Sequence, residues 1–439
     1  MTVLPFTILD ELRATVQGRT WFPDDSDFDE VHRPWNRAVD QNVLAVVEAA
    51  DVTDVVTLVN WARERGLSIA TQPTGHGATG RADDTILLRT TRLDRIDVDP
   101  AQRTATIGAG VKSGELQRAA AEHGLTGLPG SSPVVTVAGV ALGGGLSWFG
   151  RSFGWVGDSV HAFDIVDSDG RARRVSATED PDLFWALRGG GSELVIVTGL
   201  EVELQAAPDV FGGRVLWAGD HIRQVAEVFR TMTHTAPDAL TLWLELLHFP
   251  GSEPMVAIDS TYLGDEEEAR ELMRPLEALP TPLSDSRAPM SVAELGAITA
   301  EPTDPGVGSS RAELLTSLDD DTLDTLLDSP IDPLLSVQVR HLGGALAQPT
   351  DNPHGALDEP YSVYMFGLPV TEAAAESIEQ KQADLARALP ASGRKPVTFL
   401  NPDEGLADAL PAESLARLRR LKEERDPDRI FRGNFSIAD

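Results

Sequence analysis

Two stretches of the chain combine glycine with groups able to do chemistry. In Gln72-Pro73-Thr74-Gly75-His76-Gly77-Ala78-Thr79-Gly80, the proline and the glycines forbid a helix or a regular strand, so main-chain amides are free to turn towards a ligand. His76 sits in the middle of that turn. The second stretch runs from Gly127 to Gly145. Here Val134, Val135, Val137 and Val140 surround Gly139, Leu142 leads into Gly143-Gly144-Gly145, and a strand end is expected to close against something bulky. Two such turns, one carrying a lone imidazole, imply a phosphate-bearing cofactor held by backbone, with His76 near its reactive end. The competing interpretation of His76 is an imidazole that only donates a hydrogen bond in a tight turn.

Spacing alone leaves the cofactor open. The run Gly108-Ala109-Gly110-Val111-Lys112-Ser113-Gly114 misses the G-x-G-x-x-G dinucleotide pattern by one position, and no strand–turn–helix unit with an acidic residue follows. The chain has no Cys, which excludes disulfides, thiolate nucleophiles and Cys-ligated zinc or iron–sulfur centres. No metal is expected, and any redox chemistry belongs to the cofactor. A net charge of −32 argues against nucleic-acid or anionic-membrane partners. The N-terminal residues lack a basic start and an apolar core, and no stretch approaches the ~18 apolar residues of a membrane span. A soluble, cytoplasmic chain is expected, and its oligomeric state is not legible.

The elements that position these groups follow from periodicity. With 439 residues and 41% hydrophobic content, the chain can form two globular units. A short helix is expected over residues 4–16, then a strand–helix–strand unit: Val43–Val47, a helix Val52–Arg65 stopped by Gly66, and Ser68–Ala70 delivering the chain into the His76 turn. Further strands are expected at Thr85–Arg89, Arg95–Val98 and Thr104–Gly108, then a helix Gly114–His123. A hairpin over Ser159–Asp167 and Ala172–Ser176, a helix Asp180–Leu187 and a strand Leu194–Thr198 follow. From about Ala206 the texture changes. Strands at Thr241–Phe249, Met255–Tyr262, Leu334–Leu342 and Tyr361–Gly367 alternate with helices at Ile222–Thr233, Glu266–Arg274, Ala312–Leu327 and Glu372–Leu389, the second of these stopping or kinking before Pro275. This reads as an antiparallel sheet backed by helices on one face.

The ordered set Gly75-His76-Gly77, Thr106-Ile107-Gly108-Ala109-Gly110-Val111, Gly130-Ser131-Ser132-Pro133-Val134-Val135-Thr136-Val137-Ala138-Gly139, Leu142-Gly143-Gly144-Gly145, Phe153-Gly154 and Asp158 resembles the vanillyl-alcohol oxidase / p-cresol methylhydroxylase (PCMH-type) flavoprotein family. Within it, the berberine-bridge-enzyme-like and 6-hydroxy-D-nicotine-oxidase-like members are most similar. The tail Asp426-Pro427-Asp428-Arg429-Ile430-Phe431-Arg432-Gly433-Asn434 resembles that group's ending. The motifs cover residues 40–205 and 398–437.

The resemblance implies an α+β, two-domain flavoprotein. Its FAD-binding domain would span residues 1–205, with its PCMH-type part from about residue 38, and resume at 396–439 around an inserted substrate domain, 206–395. FAD would be contacted by Gln72, Pro73, Thr74, Gly75, His76, Gly77, Ala78, Ser132, Val137, Gly139, Leu142, Gly143, Gly144, Gly145, Asp158, Val197, Asn401 and Asn434. The His at the position of His76 is joined in the family to the 8α-methyl of the isoalloxazine. Many members add a Cys on the other turn, where this chain has Ser132, so the expected tether is single. Ser192-Glu193-Leu194-Val195 departs from the family's glycine and Asn-Phe-Gly, and the expected strand at Phe399-Leu400-Asn401 lacks the usual tyrosine base.

Any phenol base must then come from Tyr262, Tyr361 or Tyr364, the latter two at opposite parities of one strand. On Leu334–Leu342, Ser336, Gln338 and Arg340 share the face expected to look into the site, where Arg340 is suited to an anionic or carbonyl-bearing substrate. Tyr364, Tyr361 and Arg340 are therefore the catalytic candidates, while Glu245, His248 and His341 are left without a role. The function implied is oxidation of a small molecule such as a secondary metabolite, by hydride transfer to flavin N5 and return of the electrons to dioxygen. The alternatives are an oxygenating or rearranging flavin enzyme, or a non-redox cyclase or binding protein on the same scaffold.

Overall fold

The computed structural model describes residues 6–207 and 209–438. The first sheet has the order Arg19–Trp21, Ala45–Glu48, Ile86–Arg89, Ile69–Thr71, Phe431–Arg432. Its last four strands run parallel, and only Arg19–Trp21 is antiparallel to its neighbour. Helix Val52–Glu64 makes the crossover. It begins where Asp51 accepts hydrogen bonds from the Thr53 and Asp54 amides, and it ends before Gly66 at φ +64. Val55, Leu58, Val59, Trp61 and Ala62 form its buried face.

The second sheet is antiparallel, in the order Ile96–Asp99, Thr104–Gly108, Ile196–Glu203, Val160–Val166, Ala172–Ser176. It shares one core with helices Ser113–Ala121, Val137–Leu142, Pro181–Leu187 and Ala412–Arg425. Strand Phe431–Arg432 returns from the end of that last helix to pair with Ile69–Thr71.

The third sheet is antiparallel throughout. Its order is Ser284–Asp285, Val210–Ala218, Met255–Leu263, Leu240–Leu247, Ser336–His341, Tyr361–Gly367, Ser309–Leu315. One face is apolar at every second residue (Leu242, Leu244, Leu246; Val337, Val339; Val363, Met365) and lies under helices Ile222–Thr233, Glu266–Leu272, Asp320–Leu327 and Glu372–Ala388. The opposite face is polar and turns towards the first two sheets. This is the two-domain α+β architecture expected.

Three local expectations are corrected, and one strand was not anticipated. Val137–Leu142 is a short helix and not a strand end: Thr136 caps it by accepting the Gly139 amide, and Ala138, Gly139 and Ala141 are small enough for close packing. The helix expected over Ala312–Leu327 divides into strand Ser309–Leu315 and helix Asp320–Leu327. Edge pairing with Tyr361–Gly367 outweighs the helix preference of Ala-Glu-Leu-Leu, and Asp319 caps a fresh start. Strand Val210–Ala218 was hidden by Gly212 and Gly213. Gly213 has φ +143, and a Cβ there would lie 2.7 Å from the Arg287 backbone, so the pair admits the 284–289 segment across the strand. Residues 397–399 form a single 3₁₀ turn in place of the strand expected there.

Candidate active site

The His76 turn is held from below by main-chain hydrogen bonding. Arg89, buried and paired with no carboxylate among the described residues, donates to the carbonyls of Gln72, Val31 and Arg33 at 2.8–3.0 Å and of His32 at 3.3 Å. Burial, then Arg37, lowers it to about 10. The strap formed by residues 31–35 is thereby fastened to the turn. Gln72 is engaged by reciprocal amide bonds with Gln41, 3.0 and 3.2 Å. Gly75, at φ +76, could carry no side chain, because a Cβ would lie 2.7 Å from Pro34. Trp35 on that strap stacks on His76, with ring centroids 4.0 Å apart. Burial lowers His76 to about 4, so the imidazole is neutral, and its Nδ1 is buried without a partner among the described residues. The tail reaches the same turn: Thr79 Oγ1 donates to the Asn434 carbonyl, 2.9 Å.

On the second turn, Ser132 Oγ is likewise buried and without a partner among the described residues. The glycine triplet downstream is packed by protein. A Cβ at Gly143 would lie 2.6 Å from Thr398, at Gly145 2.4 Å from Val140, and at Gly144 2.7 Å from the His354 ring, which a Cβ at Gly189 would also meet at 2.6 Å. His354, which the sequence reading missed, accepts the Val397 amide at Nε2, 3.1 Å. Burial, then Arg394, lowers it to about 3. Its only signal was its place in the turn sequence Asn352-Pro353-His354-Gly355.

Two further expected ligand contacts are engaged elsewhere. Asp158 accepts from Thr350 (2.7 Å), Asn352 (3.0 Å) and Arg188 (3.4 Å), clamping the segment that carries His354. Asn401 donates to Glu404, at 2.8 Å from its amide and 3.1 Å from its side chain. Val197 is a buried member of strand Ile196–Glu203.

The polar face of the third sheet closes the site. Trp243 stacks on Trp148 with centroids 3.5 Å apart, and Thr241 Oγ1 donates to the Trp148 carbonyl at 2.6 Å. Register places Trp243 opposite Asp259 and Arg340, Glu245 opposite Gln338, and Gln338 opposite Tyr364, all on this face. Arg214 grips Asp259 through Nε (2.6 Å) and a terminal nitrogen (2.7 Å), and reaches Glu245 at 2.5 Å. The other Glu245 oxygen accepts from Gln338, whose carbonyl accepts from Arg340 Nε. Burial, then the neighbouring Asp259, pushes Glu245 up to about 8, and burial raises Asp259 as well. Tyr364 faces Arg340 and Phe399, whereas Tyr361 points to the helix side, its hydroxyl 2.7 Å from Thr233. Tyr361 thus lies apart from the other two catalytic candidates.

A model described as an FAD binding domain matches residues 43–176, the part that carries both glycine-rich turns. Over 96% of this chain and 97% of the relative, the sequence is 29% identical to (R)-6-hydroxynicotine oxidase of Paenarthrobacter nicotinovorans. The crystal structure of 6-hydroxy-D-nicotine oxidase from Arthrobacter nicotinovorans superposes with a TM-score of 0.82 at 26% identity, covering 96% of this chain and 98% of that one. The chain is an FAD-dependent oxidoreductase, and it is similar to the PCMH-type flavoproteins represented by 6-hydroxy-D-nicotine oxidase. The fold extends to Physcomitrella patens BBE-like 1, with a TM-score of 0.85 at 20% identity over 98% of both chains.

The residues of this flavoprotein fit its cofactor. Buried polar atoms without a protein partner are rare and call for an occupant. Two of them, His76 Nδ1 and Ser132 Oγ, fall on the two glycine-rich turns. The sheet face carrying Arg340 is joined to the segment just past the second turn by the Trp148–Trp243 stack and the Thr241–Trp148 hydrogen bond, so a substrate on that face would be near a flavin held by the turns. Among the described residues, no helix is long and apolar enough to cross a membrane.

Proposed function

We propose that this flavoprotein oxidises a small molecule at a C–H bond, carries its FAD on a single covalent link to His76, and uses dioxygen as acceptor. The supporting observation is the state of His76: neutral, stacked on Trp35, with Nδ1 buried and lacking a protein partner. A neutral imidazole keeps the lone pair that such a bond requires. When bound, FAD supplies the hydride acceptor and the path to dioxygen. Ser132 cannot form a thioether, which leaves His76 as the only tether.

The chain's own work is positioning. Arg89 and Gln41 hold the His76 turn, and the Trp148–Trp243 stack sets the sheet against the flavin side. Arg340 presents a cation to the substrate, and Tyr364 lies across from it with its hydroxyl kept protonated by burial. A substrate whose C–H is already activated suits a site with no ionised phenol, and a secondary metabolite of that kind, met in the cytoplasm, is the reading we favour.

Acid precipitation tests the tether. Yellow colour should stay in the pellet of the wild-type protein and pass to the supernatant for His76→Ala. A flavin–peptide bond mapped to any other residue refutes the assignment. Anaerobic addition of substrate should bleach the flavin spectrum, and a spectrum unmoved by a bound, turned-over ligand refutes the redox reading.

A further inference from the structure

The hydrogen-bond chain Asp259–Arg214–Glu245–Gln338–Arg340 crosses three neighbouring pairs of strands and ends in a free donor. Every link is engaged: Arg214 by two carboxylates, both Glu245 oxygens, and both ends of the Gln338 amide. Arg340 donates only one bond into this chain, from Nε to the Gln338 side-chain oxygen. Its two terminal nitrogens have no hydrogen-bond or ion-pair partner among the described residues, and neither is sealed from open space. A guanidinium presents its terminal N–H groups as a planar fork matched to two oxygens on one atom.

The surroundings select what fills that fork. The Arg340 guanidinium carbon lies 4.2 Å from the Trp243 ring centroid, 5.3 Å from Tyr364 and 5.6 Å from Phe399. These rings come from two strands of the sheet and from the returning segment of the FAD domain, so the cation sits at the domain junction. Flat aromatic walls favour a flat ligand. Among the described residues, no carboxylate lies within ion-pair distance of Arg340; Glu301, Glu245 and Asp259 act on it only through space. Those same carboxylates disfavour a doubly charged group such as a phosphate ester, since only one unpaired positive charge is available.

We propose that Arg340 is the receptor for a carboxylate on a flat, conjugated substrate, with Gln338 and Glu245 as positioning residues that aim its fork. This rests on the proposed function, and it narrows the substrate to a class: an unsaturated or aromatic acid oxidised at a carbon held away from the carboxylate. Neutral carbonyl compounds and amines lack the charge or carry the wrong one.

Benzoate is the probe. The holoprotein at pH 7 is titrated while its tryptophan fluorescence and flavin spectrum are followed. Saturable binding is expected, at least tenfold weaker in Arg340→Met and intermediate in Arg340→Lys, which keeps the charge and loses the fork. Gln338→Ala should weaken benzoate severalfold without abolishing it, and this variant also serves if Arg340→Met fails to fold. Benzamide and benzylamine should bind at least tenfold more weakly than benzoate. Benzamide binding as tightly as benzoate, phenyl phosphate binding tighter, or benzoate affinity unchanged in folded Arg340→Met would each overturn the proposal. A protein isolated without flavin would sink the redox reading instead, while the fluorescence titration would still report on Arg340.

Discussion

His354 offers a measurement in which burial, hydrogen bonding and charge act on one side chain. It is fully enclosed between Gly144 and Gly189, beside Trp155, and accepts the Val397 amide that starts the return to the FAD domain. Protonation would put a charge there next to Arg394 and remove the acceptor. Its folded pKa of about 3 lies below the ordinary 6.5, so the native state binds fewer protons than the unfolded chain in between. Stability is therefore full above pH 6.5 and falls as pH drops through that window, by about 1.4 kcal/mol per unit, or about 2 kcal/mol by pH 5. Other groups oppose this: Glu245, raised to about 8, favours the native state as pH falls from 8. A difference measurement removes them. His354→Gln keeps an amide oxygen able to accept from Val397 and cannot titrate. At pH 8 it should be destabilised by about 1–3 kcal/mol through altered packing. In paired urea unfolding curves the gap to wild type should narrow by about 2 kcal/mol at pH 5. A gap that stays constant between pH 8 and pH 5 refutes the account, because it would mean the buried imidazole takes up its proton as readily folded as unfolded.

Arg151 is the second test. Its guanidinium crosses from the FAD domain to donate to the carbonyls of Leu240 (3.0 Å), Ala236 (3.1 Å) and Leu342, so Arg151→Met should cost at least about 3 kcal/mol and split one calorimetric transition into two; a single transition at the wild-type midpoint contradicts this. Ionic strength is the third. With 69 acidic against 37 basic residues, self-repulsion is screened as the Debye length shrinks from about 10 Å at 0.1 M salt to about 3 Å at 1 M. The thermal midpoint should rise by several degrees in sodium chloride over that range, and a fall would show that the surface ion pairs outweigh the net charge.

The parts legible in the sequence were those where periodicity and punctuation agreed. Helix Ile222–Thr233 ran as read because Val225, Ala226, Phe229 and Met232 recur on one face, and the Ser336–His341 strand showed its polar and apolar faces by alternation. Helix Glu266–Leu272 ended before Pro275 for the reason proline supplies. What was hidden depended on partners distant in sequence. Ser309–Leu315 has helix-forming residues and is a strand only because Tyr361–Gly367 offers an edge. Val210–Ala218 carries adjacent glycines that read as a break until the 284–289 segment is seen packed across them.

The glycine-rich turns show a subtler limit. Glycine marks close approach, and the sequence does not say by what. At Gly143 and Gly144 the approaching groups are Thr398 and His354, both more than 200 residues further along the chain, so these glycines admit protein neighbours that the local sequence does not announce. Hydrogen-bond bookkeeping separates the two cases where residue type does not. Gln72, Asp158 and Asn401 have the chemistry of ligand contacts, yet each has side-chain polar atoms engaged by protein. His76, Ser132 and Arg340 have the same kind of chemistry with a donor or acceptor left over. An unengaged polar atom in a buried place costs about 1–3 kcal/mol unless something else satisfies it. Among the described residues that carry such an atom, His76 and Ser132 stand on the two glycine-rich turns, while Arg340 on the polar sheet face keeps two terminal nitrogens open and unpartnered, a distribution that suits a cofactor on the turns and a substrate at the sheet.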